Sequence, residues 1–148
     1  MGSRSLAAGL SAGLMLLALG GPASAQSGGI PPASLVGTWR GTSICTPVGK
    51  PACHDETVIY HMRPAAGPAA PASPGTERLM WAANKIVDGK EEEMGEFACT
   101  YVRRTGVATC PMRGWMWRLR AQGGTIAGTL VNPDGIVWRN IHVTRSGS

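Results

Sequence analysis

Beyond its first 25 residues the chain lacks most of the features that announce an activity. No apolar run in that part is long enough to span a bilayer, which excludes a helical membrane segment there. It has no C-x2-C spacing, so the close ligand pairs of structural zinc sites are missing. A G-x-S-x-G elbow, a phosphate loop and a dinucleotide fingerprint are also absent, leaving neither hydrolase-type serine chemistry nor nucleotide binding with a signature. Amphipathic helical periodicity is absent too, which argues against bundles and α/β plans. The expectation is a protein that is not an enzyme and needs no cofactor or metal.

What is present begins with an export signal. Arg4 opens the chain, an apolar stretch runs from Leu6 to about Leu19, and Ala23-Ser24-Ala25 offers a small-residue cleavage point before Gln26. This is the three-part pattern of a cleavable secretory peptide over residues 1–25. A periplasmic or secreted mature chain of single-domain length is the expectation. Its first segment, residues 26–34, is mostly Gly, Pro and Ser and reads as disordered. One domain is expected over residues 35–148, interrupted by an uncharged Pro/Ala loop at 64–75 (PAAGPAAPASPG from Pro64).

The formal net charge is +5, and the signal takes only Arg4 from it. Outside the cytoplasm a basic balance suits anionic partners such as lipid headgroups, polysaccharides or acidic proteins, or serves solubility alone. Nucleic acid is not an expected partner. Four cysteines, Cys45, Cys53, Cys99 and Cys110, all follow the signal. An even count in an exported small domain reads as two disulfides. Three pairings are open, and the spacing favours the local ones, Cys45–Cys53 and Cys99–Cys110.

The remainder reads as short strands at close spacing: 35–45, 57–63, 78–87, 90–102 with a break near Gly95, 107–112, 115–120, 125–131 and 136–145. Asp88-Gly89 is a type I′ hairpin dipeptide, and Arg113-Gly114 and Asn132-Pro133-Asp134-Gly135 mark further turns. Trp115, Trp117 and Leu119 alternate against Met116, Arg118 and Arg120, the period of a half-buried strand. If Val102 faces Val107 across the turn 103–106, Cys99 falls opposite Cys110, within reach of a disulfide. One-faced antiparallel strands leave edges that closure removes. The fold class expected is therefore all-β, an antiparallel up-and-down meander barrel of about eight strands, with a β-sandwich as the alternative.

The first strand carries Gly37-Thr38-Trp39. With that motif the chain resembles the calycin superfamily, the lipocalin-like meander barrels, over its two terminal strands. The resemblance implies a Trp at the closed end of the barrel with a basic side chain from the last strand across it. Arg139, alternating with Val137, Ile141 and Val143 on an apolar face, is the residue expected to pair with Trp39 and close the barrel.

Four clusters remain. Cys53-His54-Asp55-Glu56 with His61 could ligate a metal, or form a polar loop beside a disulfide. The carboxylates Glu91, Glu92, Glu93 and Glu96 read as a solvated face. Trp81, Trp115 and Trp117 could line a ligand cavity or fill a packed interior. Trp138, with Arg118 and Arg120 if the strands neighbour, could form a partner surface. The function expected is a non-enzymatic exported binding module for a small apolar ligand or an envelope-associated partner. The alternative is an inhibitor of another exported protein such as a protease, acting through Gln26–Ser34, as in the small calycin inhibitors.

Overall fold

The computed structural model describes residues 35–67 and 73–147. The segment read as a signal, the Gln26–Ser34 end and the middle of the Pro/Ala loop lie outside the described residues. Eight strands follow in order: β1 Gly37–Cys45, β2 Glu56–Pro64, β3 Thr76–Val87, β4 Lys90–Val102, β5 Val107–Met112, β6 Trp115–Gln122, β7 Thr125–Val131 and β8 Val137–Arg145. Each pairs antiparallel with the next, and β8 returns to β1, closing the barrel. The meander expected from the turn spacing is thus the observed fold, and the sandwich alternative is set aside.

Tight turns explain why the strands are consecutive neighbours. Asp88 and Gly89 have φ of 50° and 77°, and Arg113 and Gly114 have 46° and 88°. Positive φ at both central residues is what a type I′ turn needs, and its twist matches that of the flanking strands. Two register shifts interrupt the ladders. One lies between Ala83 and Asn84, where Ala83 faces Gly95 and Asn84 faces Glu93; this is the break expected near Gly95. The other lies between Leu130 and Val131, where Leu130 faces Arg139 but Val131 faces Val137. Trp138 is left as the extra residue of that bulge.

Alternation carries the apolar residues inward. Trp117, Leu119 and Ala121 on β6 are buried while Arg118 and Arg120 between them are exposed. Buried residues form one cluster inside the barrel that includes Trp81. Its ring meets Tyr60 at 4.9 Å and Trp117 at 5.0 Å, both near-perpendicular, and Phe97 at 5.4 Å. Edge-to-face aromatic pairs of this kind add about 0.5–1.5 kcal/mol each beyond burial. Trp81 Nε1 and Trp117 Nε1 are buried with no hydrogen-bond partner among the described residues. Burial pushes the Tyr60 hydroxyl pKa up, against smaller opposing effects of Ser43 and Arg139, so Tyr60 stays neutral.

One end of the barrel is sealed. Trp39 is fully buried, its Nε1 donating to the Leu35 carbonyl at 2.8 Å. The guanidinium of Arg145 lies 4.3 Å from the Trp39 ring centroid, and its Nη1 donates to Val36 O at 2.8 Å. This corrects the pairing expected from the last strand: Arg145, not Arg139, crosses Trp39. Both arginines lie on the inward face of β8, but the β1–β8 ladder sets Trp39 against Arg145 and Cys45 against Arg139. Six residues of strand separate them, about 20 Å. Gly37 is required here, because its φ is +134° and a Cβ would stand 2.5 Å from Arg145 Nη1.

Both expected disulfides are present, Cys45–Cys53 and Cys99–Cys110. Cys99 and Cys110 are buried inside the barrel and clamp β4 to β5. Replacing both by Ala is expected to lower unfolding free energy by about 3 kcal/mol, from the reopened loop alone. Denaturant titration of the double variant checks it, with peptide mapping of the unreduced parent confirming the pairing.

Candidate functional site

The unsealed end is built by the turns after β1, β3, β5 and β7. A cavity of about 320 Å³ opens there, lined by Ala52, Cys53, His54, Glu56, Met112, Trp115, Leu130, Trp138 and Arg139. Its apolar wall is the Trp115–Trp138 pair, with ring centroids 5.5 Å apart and planes at 83°. Trp115 arrives by simple alternation on β6. Trp138 arrives because the bulge re-aims it, as bulges at barrel rims do. The loop from β1 to β2 supports it from behind: a Cβ at Gly49 would meet the indole at 3.3 Å. Thr46 N also donates to Trp138 O at 2.9 Å.

The polar wall is a single fastened node. Arg139 Nε donates to Ser43 Oγ at 2.9 Å, while Nη2 donates to Ser43 O at 3.1 Å and to His54 O at 2.6 Å. Glu56 Oε2 lies 2.9 Å from Nη2 as the counter-charge. The Arg139 side chain is only 12% exposed, so its charge needs these partners. Their effect is to tie the His54–Glu56 segment down onto β1 and β8. Asp55 adds a second tie, accepting from Cys45 N at 2.8 Å with Lys50 Nζ at 3.6 Å. The hydrogen bond from the Cys45 backbone amide holds the Asp55 carboxyl below its ordinary pKa, with Lys50 assisting.

The residues singled out from sequence divide between three places. Trp115 lines the cavity, whereas Trp81 and Trp117, grouped with it as ligand-binding, are core beneath it. Trp138 joins Trp115 at the mouth, so it is not part of a surface with Arg118 and Arg120; those two stand exposed on the outer face of β6. His54 and Glu56 are at the mouth, but His61 is on the outside of β2. With its proton on Nε2, His61 donates to Glu91 at 3.1 Å and accepts from Thr38 at Nδ1. The geometry therefore scatters the His54, Asp55, Glu56 and His61 run, and no cluster of three or more His, Cys, Asp or Glu among the described residues is placed to hold a metal ion. Met112 and Leu130 were missed, since nothing in an isolated strand says which of its inward residues is last before the opening. Glu92 pairs with Lys85, and Glu96 with Arg63. Gln26–Ser34, the segment for the inhibitor reading, lies outside the described residues.

Comparison with protein-family models, curated proteins and solved structures returned no match.

Two outcomes test the node. Arg139→Met strands Glu56 and the carbonyls of Ser43 and His54; it is expected to cost about 3 kcal/mol in denaturant titration. Arg139→Lys should recover only part, since an ammonium lacks the planar fork. For Asp55 the folded carboxyl titrates below the ordinary 3.8. Its contribution is therefore complete above that value and lost as pH falls through the lower folded value. Thermal melts of Asp55→Ala and the parent should differ at neutral pH and converge as pH drops below 3.8.

Proposed function

We propose that the protein is an exported, non-enzymatic binding barrel on a calycin-like plan, holding one small apolar ligand at its mouth. The observation that carries this reading is the asymmetry of the barrel: sealed by Trp39, Leu35 and Arg145 at one end, it opens at the other into a cavity walled by two tryptophans packed edge to face. A cavity of about 320 Å³ is at the small end of the range for ligand sites. Beneath it Trp117 and Trp81 fill the interior, so the ligand is the size of a few fused or linked rings and rests on the core without threading it. The Gly37-x-Trp39 start crossed by Arg145 supports the family resemblance. Two disulfides suit an oxidising compartment and so support export; N-terminal sequencing of the chain recovered outside the cytoplasm should begin at Gln26.

The binding test uses N-phenyl-1-naphthylamine, a neutral fluorescent apolar probe. One saturable site is expected, weakened about tenfold by Trp115→Ala with Trp138→Ala, because each aromatic contact adds about 0.5–1.5 kcal/mol beyond its buried area and about 1.4 kcal/mol is tenfold. No saturable binding, or binding indifferent to the two substitutions, overturns the reading.

A further inference from the structure

Charge is segregated around the wall of this barrel. The strands β5, β6, β7, β8 and β1, neighbours in the closed sheet, carry no Asp or Glu at all. All nine carboxylates lie elsewhere: Asp55 and Glu56 at the mouth, Glu77 on β3, Asp88 in its turn, Glu91, Glu92, Glu93 and Glu96 on β4, and Asp134 in the β7–β8 turn. On the acid-free wall Arg118 and Arg120 are exposed. Neither has an ion-pair or hydrogen-bond partner among the described residues, whereas Lys50, Arg63, Lys85, Arg103 and Arg139 each face a carboxylate.

The register shows what surrounds them. Arg118 lies in a row with Thr109, Thr129 and Asn140, and Arg120 in a row with Val107, Ala127 and His142. On β1 the second row continues to Thr42, and Arg40 stands beside Thr144. The two arginines are about 7 Å apart along β6, and Arg120 stands about 10 Å from His142 across β7, where Ala127 leaves the space between them low. Guanidinium forks interspersed with hydroxyls and amides match a partner that is itself hydroxyl-rich and repeatedly anionic. We propose that this wall binds an acidic polysaccharide, carboxylates pairing with Arg118 and Arg120 and sugar hydroxyls with the Thr and Asn rows. A bilayer fits less well, because interfacial binding adds apolar insertion to charge. Among the described residues the exposed large apolar ones are Ile44, Val48, Met94, Ile136 and Val137, of which only Ile44 and Val137 belong to this wall, both at its mouth end and away from Arg118 and Arg120. The site is separate from the mouth cavity and stands without it.

The test measures binding of the mature chain to polygalacturonate at low salt. Saturable binding that weakens as salt rises is expected. Arg118→Gln with Arg120→Gln should weaken it about tenfold, while Lys85→Gln with Lys90→Gln, the same charge change on the β3–β4 hairpin, should change it less than about twofold. Amide resonances of β5 to β8 in the unaltered protein should shift on adding oligogalacturonate, a readout independent of any variant. Equal losses in the two double variants would reduce the effect to net charge and overturn the proposal. So would shifts confined to the mouth, or binding to phosphatidylglycerol vesicles with none to polygalacturonate.

Discussion

The ladder between β1 and β8 is the constraint on which the molecule depends. It joins residues about one hundred positions apart, from Trp39 opposite Arg145 to Cys45 opposite Arg139. The other strand pairs are made by local turns. Without the last ladder they would form a twisted sheet with two open edges, an invitation to pairing with other chains. Its formation removes both edges and brings two arginines of one strand to opposite ends of the barrel. Arg145 then covers Trp39, and Arg139 fastens the loop that carries Cys53, His54 and Glu56. The sealed floor and the shaped mouth are thus consequences of one register.

How far this was legible in the sequence follows from the range of each interaction. Strand limits were legible because short turn signals such as Asp88-Gly89 and Arg113-Gly114 act locally, and alternation in Trp115 to Arg120 is a local pattern. Cys99 opposite Cys110 needed only one hairpin register, and that too came out. The Trp39 partner did not. Arg139 and Arg145 share parity on β8, and parity cannot separate residues that differ by an even number; only the long-range ladder does. Trp138 failed for a related reason. Alternation assigned it outward with Asn140 and His142, but one extra residue opposite the Leu130–Val131 step turns it to the rim. Of the candidate site, Trp115, His54 and Glu56 could be picked out beforehand, without the geometry that groups them. Met112 and Leu130 depend on where the barrel happens to open.

The outer wall obeys a different logic from the interior. Carboxylates on β4 are neutralised by neighbours, as in Lys85 with Glu92 and Arg63 with Glu96. Such exposed pairs contribute little to stability, typically within about 1 kcal/mol. Their consequence is to offset charge on that side, whereas Arg118 and Arg120 on the strands without carboxylates face no carboxylate among the described residues. Glu91, held below its ordinary pKa first by the Asn84 amide and then by His61, remains anionic there. A modest net charge therefore understates the positive character of one wall.

Depth and stability compete in a barrel this small. The aromatic chain from Tyr60 through Trp81 to Trp117 occupies the volume that a deeper ligand site would need. Removing one of these rings would cost about 3–5 kcal/mol in burial and cavity terms, a large share of the 5–15 kcal/mol that holds a typical domain folded. A domain of this length has little core to spare. The remaining place for an apolar site is above the core, where Trp115 already ends the inward row of β6. That position needs a second wall, because one ring at an open rim is half wetted. The bulge supplies it with Trp138, and the fastened loop keeps Gly49 behind that indole. The bulge, the Arg139 node and the Cys45–Cys53 bond are thus three parts of one device, which shapes the mouth above the buried aromatic core.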